Sequence, residues 1–489
     1  MIDNMLFRKQ ASAATPWAAF GRDKYSKNKE APCFFIFNDT PNYRLNCNFV
    51  YLFVFLFAWF LLLLCWFPPT NTKTHTTQEL EGYVSHVNHT KSLAPSIRTC
   101  DGSVSVYVYS LPAEFNVGLA EDCHHLNVYT DMCPHVANRG LGQPRPEMGS
   151  GAASWFVTHQ FIAEMIFHAR VENHPCRTWD PAHADLFYVP FYGGLHASSK
   201  FRESDLKARD ALAVRLADYL EGQPWWQRRH GKDHFLALGR TAWDFMRTDS
   251  GPDFGANCLL NLPAVKNMSV LTVERNPWHG SNQHGIPYPS YFHPYTWDEM
   301  LTWQNKMRLS ERPHLWSFIG GPRKGLEKAA VREKIMAQCA ESSRCKLVKC
   351  GSGASECHEP SRVLSVMTKS QFCMQAAGDS FTRRSTFDAI LAGCIPVFFS
   401  PHTAYTQYAW FLPEDRSAYS VFIDEKGSGS ERIEEELLKI SEEKLKRMRE
   451  RVVDTIPRLT YAHPNASDVG FKDAVDVALA ALSKHVSES

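Results

Sequence analysis

Two arginines set side by side where a helix should begin carry the most chemical consequence in this chain. They lie in the stretch Gly378-Asp379-Ser380-Phe381-Thr382-Arg383-Arg384-Ser385-Thr386-Phe387-Asp388, which runs on through Ala389-Ile390-Leu391 to Ala392-Gly393-Cys394-Ile395-Pro396-Val397-Phe398-Phe399. The pattern reads as loop, helix, then buried strand. Both arginines then fall in the first helical turn, where the helix dipole already disfavours cations. Something anionic should compensate, and the free amides of a helix N-terminus are themselves an anion site. A nucleotide diphosphate meets that need. Asp388, four residues after Arg384, meets it equally well as an ion-pair partner. Ser380 and Thr382 either cap the helix or touch phosphate, and Gly378 and Asp379 complete the candidate loop.

A sheet must hold these residues in place. A strand over Phe372 to Gln375 makes the stretch a strand–helix–strand unit. Ahead of it the residues predict a strand from His314 to Ile319, a helix from Lys328 to Cys339, a strand from Lys346 to Val348 and a helix from Arg362 to Thr368. A last strand falls at Val421 to Asp424, with closing helices from Glu431 and Phe471. An earlier alternation comprises a strand from Val104 to Tyr109, a helix from Trp155 to Arg170, a strand from Asp185 to Tyr192 and a helix from Ser204 to Leu220. Strands from His234 to Leu238 and from Ser269 to Val273 follow. Strands alternating with helices imply mainly parallel α/β sheets. Three prolines between Ile286 and Pro294 divide the two sets, and residues 104–489 are too many for one core. The expectation is two facing α/β halves, 104–290 and 291–489, with a cleft at the carboxyl ends of their strands.

Upstream, Phe49 to Phe67 is nineteen residues without a charge, long enough to cross a hydrocarbon core. It lies too far from the start for a cleaved signal. Arg8, Lys9, Arg22, Lys24, Lys27, Lys29 and Arg44 precede it, and only Lys73 follows within twenty residues. The positive-inside rule makes 1–48 a cytosolic tail, 49–67 a signal anchor and 68–103 a stem on the far side. A short, Phe-rich span suits the thinner membranes of the early secretory pathway. Eleven cysteines lie beyond it, an odd number, so one is unpaired or pairs between chains. Cys373 and Cys394, in apolar strand-like runs, are expected to be free and buried. Cys339, Cys345, Cys350 and Cys357 are spaced for disulfides rather than for zinc. Sequons at Asn88, Asn267 and Asn465 fall on the far side and can carry glycans, whereas that at Asn38 should stay bare. A net charge of +1 offers no basic surplus for nucleic acid.

Several of these blocks resemble a known family. They are Val106-Tyr-Val-Tyr-Ser-Leu-Pro-Ala-Glu-Phe115, Met132-Cys-Pro-His-Val-Ala-Asn-Arg-Gly-Leu-Gly142, Gly231-Lys-Asp-His-Phe235, Gly239-Arg-Thr-Ala-Trp-Asp-Phe245, Gly285-Ile-Pro-Tyr-Pro289, Gly378 to Phe399, and Ala404-Tyr-Thr-Gln-Tyr408. Together they are similar to the plant exostosin-like glycosyltransferases of family 47, of the MURUS/KATAMARI xyloglucan galactosyltransferase type. The resemblance implies a GT-B-like fold of two Rossmann-like domains behind the single membrane helix. It also implies a type II Golgi protein, a UDP-sugar donor, inversion, and transfer to xylose side chains of xyloglucan. Homo-complexes, or hetero-complexes with other wall transferases, would be its protein partners. Ala376-Ala377 and Phe381 depart from the Pro and Tyr found around this block in relatives, which leaves galacturonic acid as a competitor to galactose. An inactive Golgi scaffold is the reading of another class, and the complete loop, arginine pair and Asp388 argue against it.

Transfer from UDP requires a stabilised leaving diphosphate and a deprotonated acceptor hydroxyl. No two Asp residues here are two apart, so no Asp-x-Asp metal site is expected and no cofactor is needed. Arg383, Arg384, Arg323 after the first strand of the second half, and Arg240 from across the cleft are the expected diphosphate contacts. Asp388 would hold the ribose hydroxyls, or simply pair with Arg384. For the base, His234, Asp244 and Glu274 stand at or just after strand-like runs; a buried structural role for His234 is equally consistent. Trp225, Trp226, Trp278, Trp297 and Trp303 lie outside the expected strands, where packing competes with sugar stacking.

Overall fold

The computed structural model describes residues 57, 59, 100, 102, 104–149, 154–248, 254–351, 357, 359–466 and 469–488. Of the anchor over 49–67, only Phe57 and Trp59 fall among these, both helical and exposed. The rest of the anchor, the tail, Asn38 and Asn88 lie outside the described residues. Among the described residues no helix is long and apolar enough to cross a membrane.

From residue 94 onward the chain forms one compact unit containing two sheets. The first has six strands, in the order β2-β1-β3-β4-β5-β6. These are β1 (Val106–Val108), β2 (Arg177–Thr178), β3 (Leu186–Val189), β4 (His234–Thr241), β5 (Ser269–Glu274) and β6 (Gln283–Gly285). The second has five, in the order β11-β10-β9-β7-β8. These are β7 (His314–Gly320), β8 (Cys345–Lys349), β9 (Ser370–Gln375), β10 (Ile395–Phe398) and β11 (Val421–Phe422). Every strand pairing in both sheets is parallel. The central strands β3, β4, β5 and β10 are almost wholly buried, as strands covered on both faces must be.

The main helices are α1 (Ala163–Glu172), α2 (Gly193–Lys200), α3 (Leu206–Glu221), α4 (Trp297–Leu309), α5 (Val331–Glu341), α6 (Pro360–Thr368), α7 (Arg384–Leu391), α8 (Glu442–Leu459) and α9 (Ala474–Glu488). Two expectations need correction here. The first helix starts at Ala163 rather than Trp155, because Trp155 and Phe156 are extended and bridge to Phe292 and Pro144. Helix α4 went unforeseen, although Thr296 and Glu299 form a capping box at its start.

One apolar core runs from the inner face of the first sheet through Tyr288, Tyr291, Phe292 and Trp303 into the second sheet. A second core lies on the far face of the first sheet, where Leu212, Leu216 and Leu220 of α3 cover it. The chain's last helix returns to the first half. Asp473, just ahead of α9, accepts from Arg170 Nε of α1 at 2.8 Å, and both side chains are sealed from solvent. His174 pairs with Asp476 beside them at 3.0 Å.

Five disulfides brace the unit: Cys100–Cys176, Cys123–Cys133, Cys339–Cys345, Cys350–Cys357 and Cys373–Cys394. The last corrects the expectation that Cys373 and Cys394 are free. Parallel pairing of β9 with β10 sets Pro396 opposite Cys373 and brings the two Cα atoms to 5.9 Å. Among the described residues the cysteine left over is Cys258. Asn267 and Asn465 are exposed.

Candidate active site

The carboxyl ends of the two sheets meet. Glu274, the last residue of β5, reaches across to the loop after β9. Its Oε2 accepts from Thr382 N at 2.8 Å and Thr382 Oγ1 at 2.5 Å. Its Oε1 accepts from Trp243 Nε1 at 2.9 Å and Phe381 N at 3.4 Å. Beside it Tyr408 Oη donates to Val273 O, and Arg275 N donates to Gln407 Oε1. The loop from Ala376 to Arg383 therefore lies at the seam where the carboxyl ends of the two sheets meet.

Within that loop the two arginines have different fates. Arg384 opens α7, and its charge is spent locally: Nε faces Asp388 Oδ2 at 3.4 Å, Nη1 donates to Thr158 O at 2.9 Å, and Nη2 donates to Tyr291 Oη. Asp388 is buried, accepts from Ser290 Oγ at 2.6 Å, and has its pKa raised by that burial. Its two oxygens thus face Ser290 and Arg384, the ion pair that was the alternative expected for these two residues.

Arg383 is the opposite case. It is the residue just before α7, and its Nε and Nη2 are buried without a hydrogen-bond acceptor. Burial holds its pKa below the usual guanidinium range. Gly378 makes room for it, since a Cβ there would come within 1.2 Å of Arg383 Nη2. Two buried guanidinium nitrogens without acceptors are costly, and the carboxylates of Asp379 and Glu274 offset the charge only from a distance; the loop is thus a candidate site for an anion.

Other cations surround it. Arg323, after β7, donates through Nε to Asp379 Oδ1 at 3.0 Å and stays partly open. Lys328 Nζ lies 5.4 Å from the Phe381 ring centre, and its pKa is lowered by burial. Arg332 was not anticipated. It donates to Ala377 O at 2.6 Å, Gly321 O at 2.8 Å and Ala376 O at 3.2 Å, tying the loops after β7 and β9 together. Tyr288 was also missed: its hydroxyl is 3.0 Å from Thr382 Oγ1. Both signals were present, an arginine in the first turn of a helix and a tyrosine in the proline-rich connector, but neither names its partner.

The expected bases are all engaged. His234 begins β4, at the amino end of the sheet and fully buried. Its Nδ1 meets Asp233 Oδ1 and its Nε2 meets Tyr109 Oη, both at 2.8 Å. Asp244 accepts from Arg240 Nε at 2.8 Å and from Thr241 Oγ1 at 3.1 Å, which also consumes Arg240's charge. Glu274 is filled by the four donors above. All three thus have internal hydrogen-bond partners, the arrangement a structural role requires. Of the tryptophans, Trp226 and Trp303 are buried. Trp278 is 59% exposed and meets Phe381 and His402 edge-on, with ring centres at 5.7 and 5.5 Å. Among the described residues, the grouping of metal-type ligands Cys123, His124 and Cys133 has both sulfurs in a disulfide.

The exostosin GT47 domain model matches residues 100–435, which contain both sheets and the loop around Arg383. The chain belongs to the exostosin GT47 family of glycosyltransferases. It is 66% identical over 392 residues to the Arabidopsis thaliana protein named probable xyloglucan galactosyltransferase GT17, covering 80% of this chain and 85% of that one. It is 42% identical over 425 residues to xyloglucan galactosyltransferase MUR3 of the same plant, covering 86% and 67%. Against xyloglucan-specific galacturonosyltransferase 1, also from that plant, identity is 37% over 396 residues, covering 80% and 58%.

Proposed function

We propose that this GT47 chain is a type II Golgi membrane protein with a GT-B-like lumenal part, which moves galactose from UDP-galactose, with inversion, onto xylose side chains of xyloglucan. The observation that carries the reading is Arg383, held at the start of α7 with two buried guanidinium nitrogens unmatched. A diphosphate supplies the missing acceptors and also meets the amides of that helix end. Arg323 and Lys328 flank the same loop and would share the charge released on the leaving group. Residues 291–489 would hold the nucleotide sugar and 104–290 the acceptor. Five disulfides support an oxidising lumen, and the apolar run from Phe49 to Phe67 supports a membrane anchor. Galactose rather than galacturonic acid is favoured by the greater identity to the galactosyl-named relative, 66% against 37%. A scaffold has no use for an unmatched buried cation, which disfavours the non-enzymatic reading.

The deciding assay gives the full-length protein UDP-galactose or UDP-galacturonic acid with a xyloglucan oligosaccharide. Galactose transfer is the expected result; transfer of galacturonic acid alone would move the protein to the second donor. Because cations here do the work of a metal, transfer should persist in excess chelator. Full loss on chelation, restored by adding metal back, would overturn the arginine-for-metal argument.

A further inference from the structure

The proposed donor site has its cation in Arg383, whereas His234, Asp244 and Glu274 are each held by internal hydrogen bonds, which directs attention to other groups for the acceptor's proton. Two histidines border the seam. His135 lies in the one-turn helix Cys133–Val136, pinned by the Cys123–Cys133 disulfide. Its Nδ1 is 3.2 Å from Val157 O. A carbonyl can only accept, so Nδ1 carries the proton and Nε2 keeps its lone pair. His159 is fixed the other way: its Nδ1 accepts from Phe161 N at 3.2 Å, which places its proton on Nε2. The ring centres are 5.1 Å apart. The main chain has thus set a proton acceptor beside a proton donor. Burial, followed by the nearness of His135, Arg384 and Arg240, lowers the His159 pKa to about 3, which keeps it neutral.

Contacts connect this pair to the donor loop. Thr158 O, one residue before His159, receives Arg384 Nη1 of α7. Phe161 lies beneath the Arg240 guanidinium at 4.5 Å and touches the Tyr288 ring at 6.1 Å. Tyr288 in turn meets Thr382 of the donor loop. Both histidines are only partly buried.

We propose that His135 is the base of the transfer and that His159 holds the acceptor hydroxyl against it. This rests on the reading above. In the step, the acceptor O–H bond breaks and its proton passes to Nε2 of His135. The oxygen bonds to the anomeric carbon, and the bond from that carbon to the diphosphate oxygen breaks, its electron pair leaving on UDP. His159 donates through Nε2 to the same hydroxyl oxygen and sets its approach.

The test uses full-length His135→Asn and His159→Asn. Asparagine can replace the imidazole Nδ1 in each case, donating to Val157 O or accepting from Phe161 N, so the local fold is kept. For His135→Asn, kcat should fall by about 10²- to 10⁴-fold, with UDP Kd and melting temperature at parent values. For His159→Asn, the acceptor KM should rise by about two- to tenfold, the size of one hydrogen bond, with a smaller loss of kcat than in His135→Asn. A His135→Asn enzyme with kcat within threefold of the parent overturns the proposal. So does a loss that tracks a lowered melting temperature and weaker UDP binding, which marks a structural histidine. A parent that transfers nothing to the oligosaccharide defeats the functional reading instead. The variants are then scored on hydrolysis of whichever UDP-sugar the parent turns over, where water's proton takes the same route. The same loss in His135→Asn supports the base, and unchanged hydrolysis sinks it.

Discussion

Arg383→Ala should weaken UDP binding by about one to two powers of ten while leaving the melting temperature unchanged or slightly higher. The guanidinium Nε and Nη2 meet no acceptor within the chain, so their removal breaks no internal hydrogen bond. It also relieves a buried charge that sits at the positive end of α7. What is lost is one charge-assisted contact to phosphate, roughly 1.5–3 kcal/mol, and about 1.4 kcal/mol is a factor of ten in Kd. Titration calorimetry of UDP into the full-length protein, run beside a thermal melt, reads both quantities. Parent-like UDP affinity together with a lower melting temperature would make Arg383 a packing residue and move the nucleotide elsewhere.

The neighbouring substitution should do the reverse. Arg384→Ala strips a buried carboxylate of its counter-charge, because Asp388 is only 3% exposed and keeps Ser290 alone as a partner. Breaking a buried pair from one side typically costs about 3–5 kcal/mol. The contacts to Thr158 O and Tyr291 Oη are lost as well, and they are among those that join α7 to the first half. Stability should fall by that order, and whatever protein remains folded should bind UDP almost as the parent does. Pairing the change with Asp388→Leu should recover much of the loss, since no orphaned charge is left. An Arg384→Ala protein that melts like the parent but no longer binds UDP would exchange the roles assigned to the two arginines.

The strand pattern was legible because fully buried parallel strands are continuous apolar runs: β3, β4, β5, β9 and β10 all fall where such runs occur. The division of labour between Arg383 and Arg384 was not. It depends on which guanidinium meets Tyr291 and Thr158, residues 93 and 226 positions away. Pairing of Cys373 with Cys394 depends on strand register, which spacing alone does not specify. His234 has the right chemistry but sits at the amino end of its strand, whereas ligands lie at the carboxyl ends. His135 and His159 carry no sequence signature, because a main-chain carbonyl and a main-chain amide set their tautomers.

The clasp between Arg170 and Asp473 also sets a timetable for biosynthesis. The two residues are separated by 303 positions. At a synthesis rate of about 5–20 residues per second, Arg170 emerges roughly 15–60 s before its carboxylate exists. During that interval the first sheet is made but its α1 helix carries a charge meant for a sealed site. The sealed Arg170 site can therefore be completed only once Asp473 is made, and a ribosome that stops before it leaves an unpaired guanidinium some three hundred residues upstream.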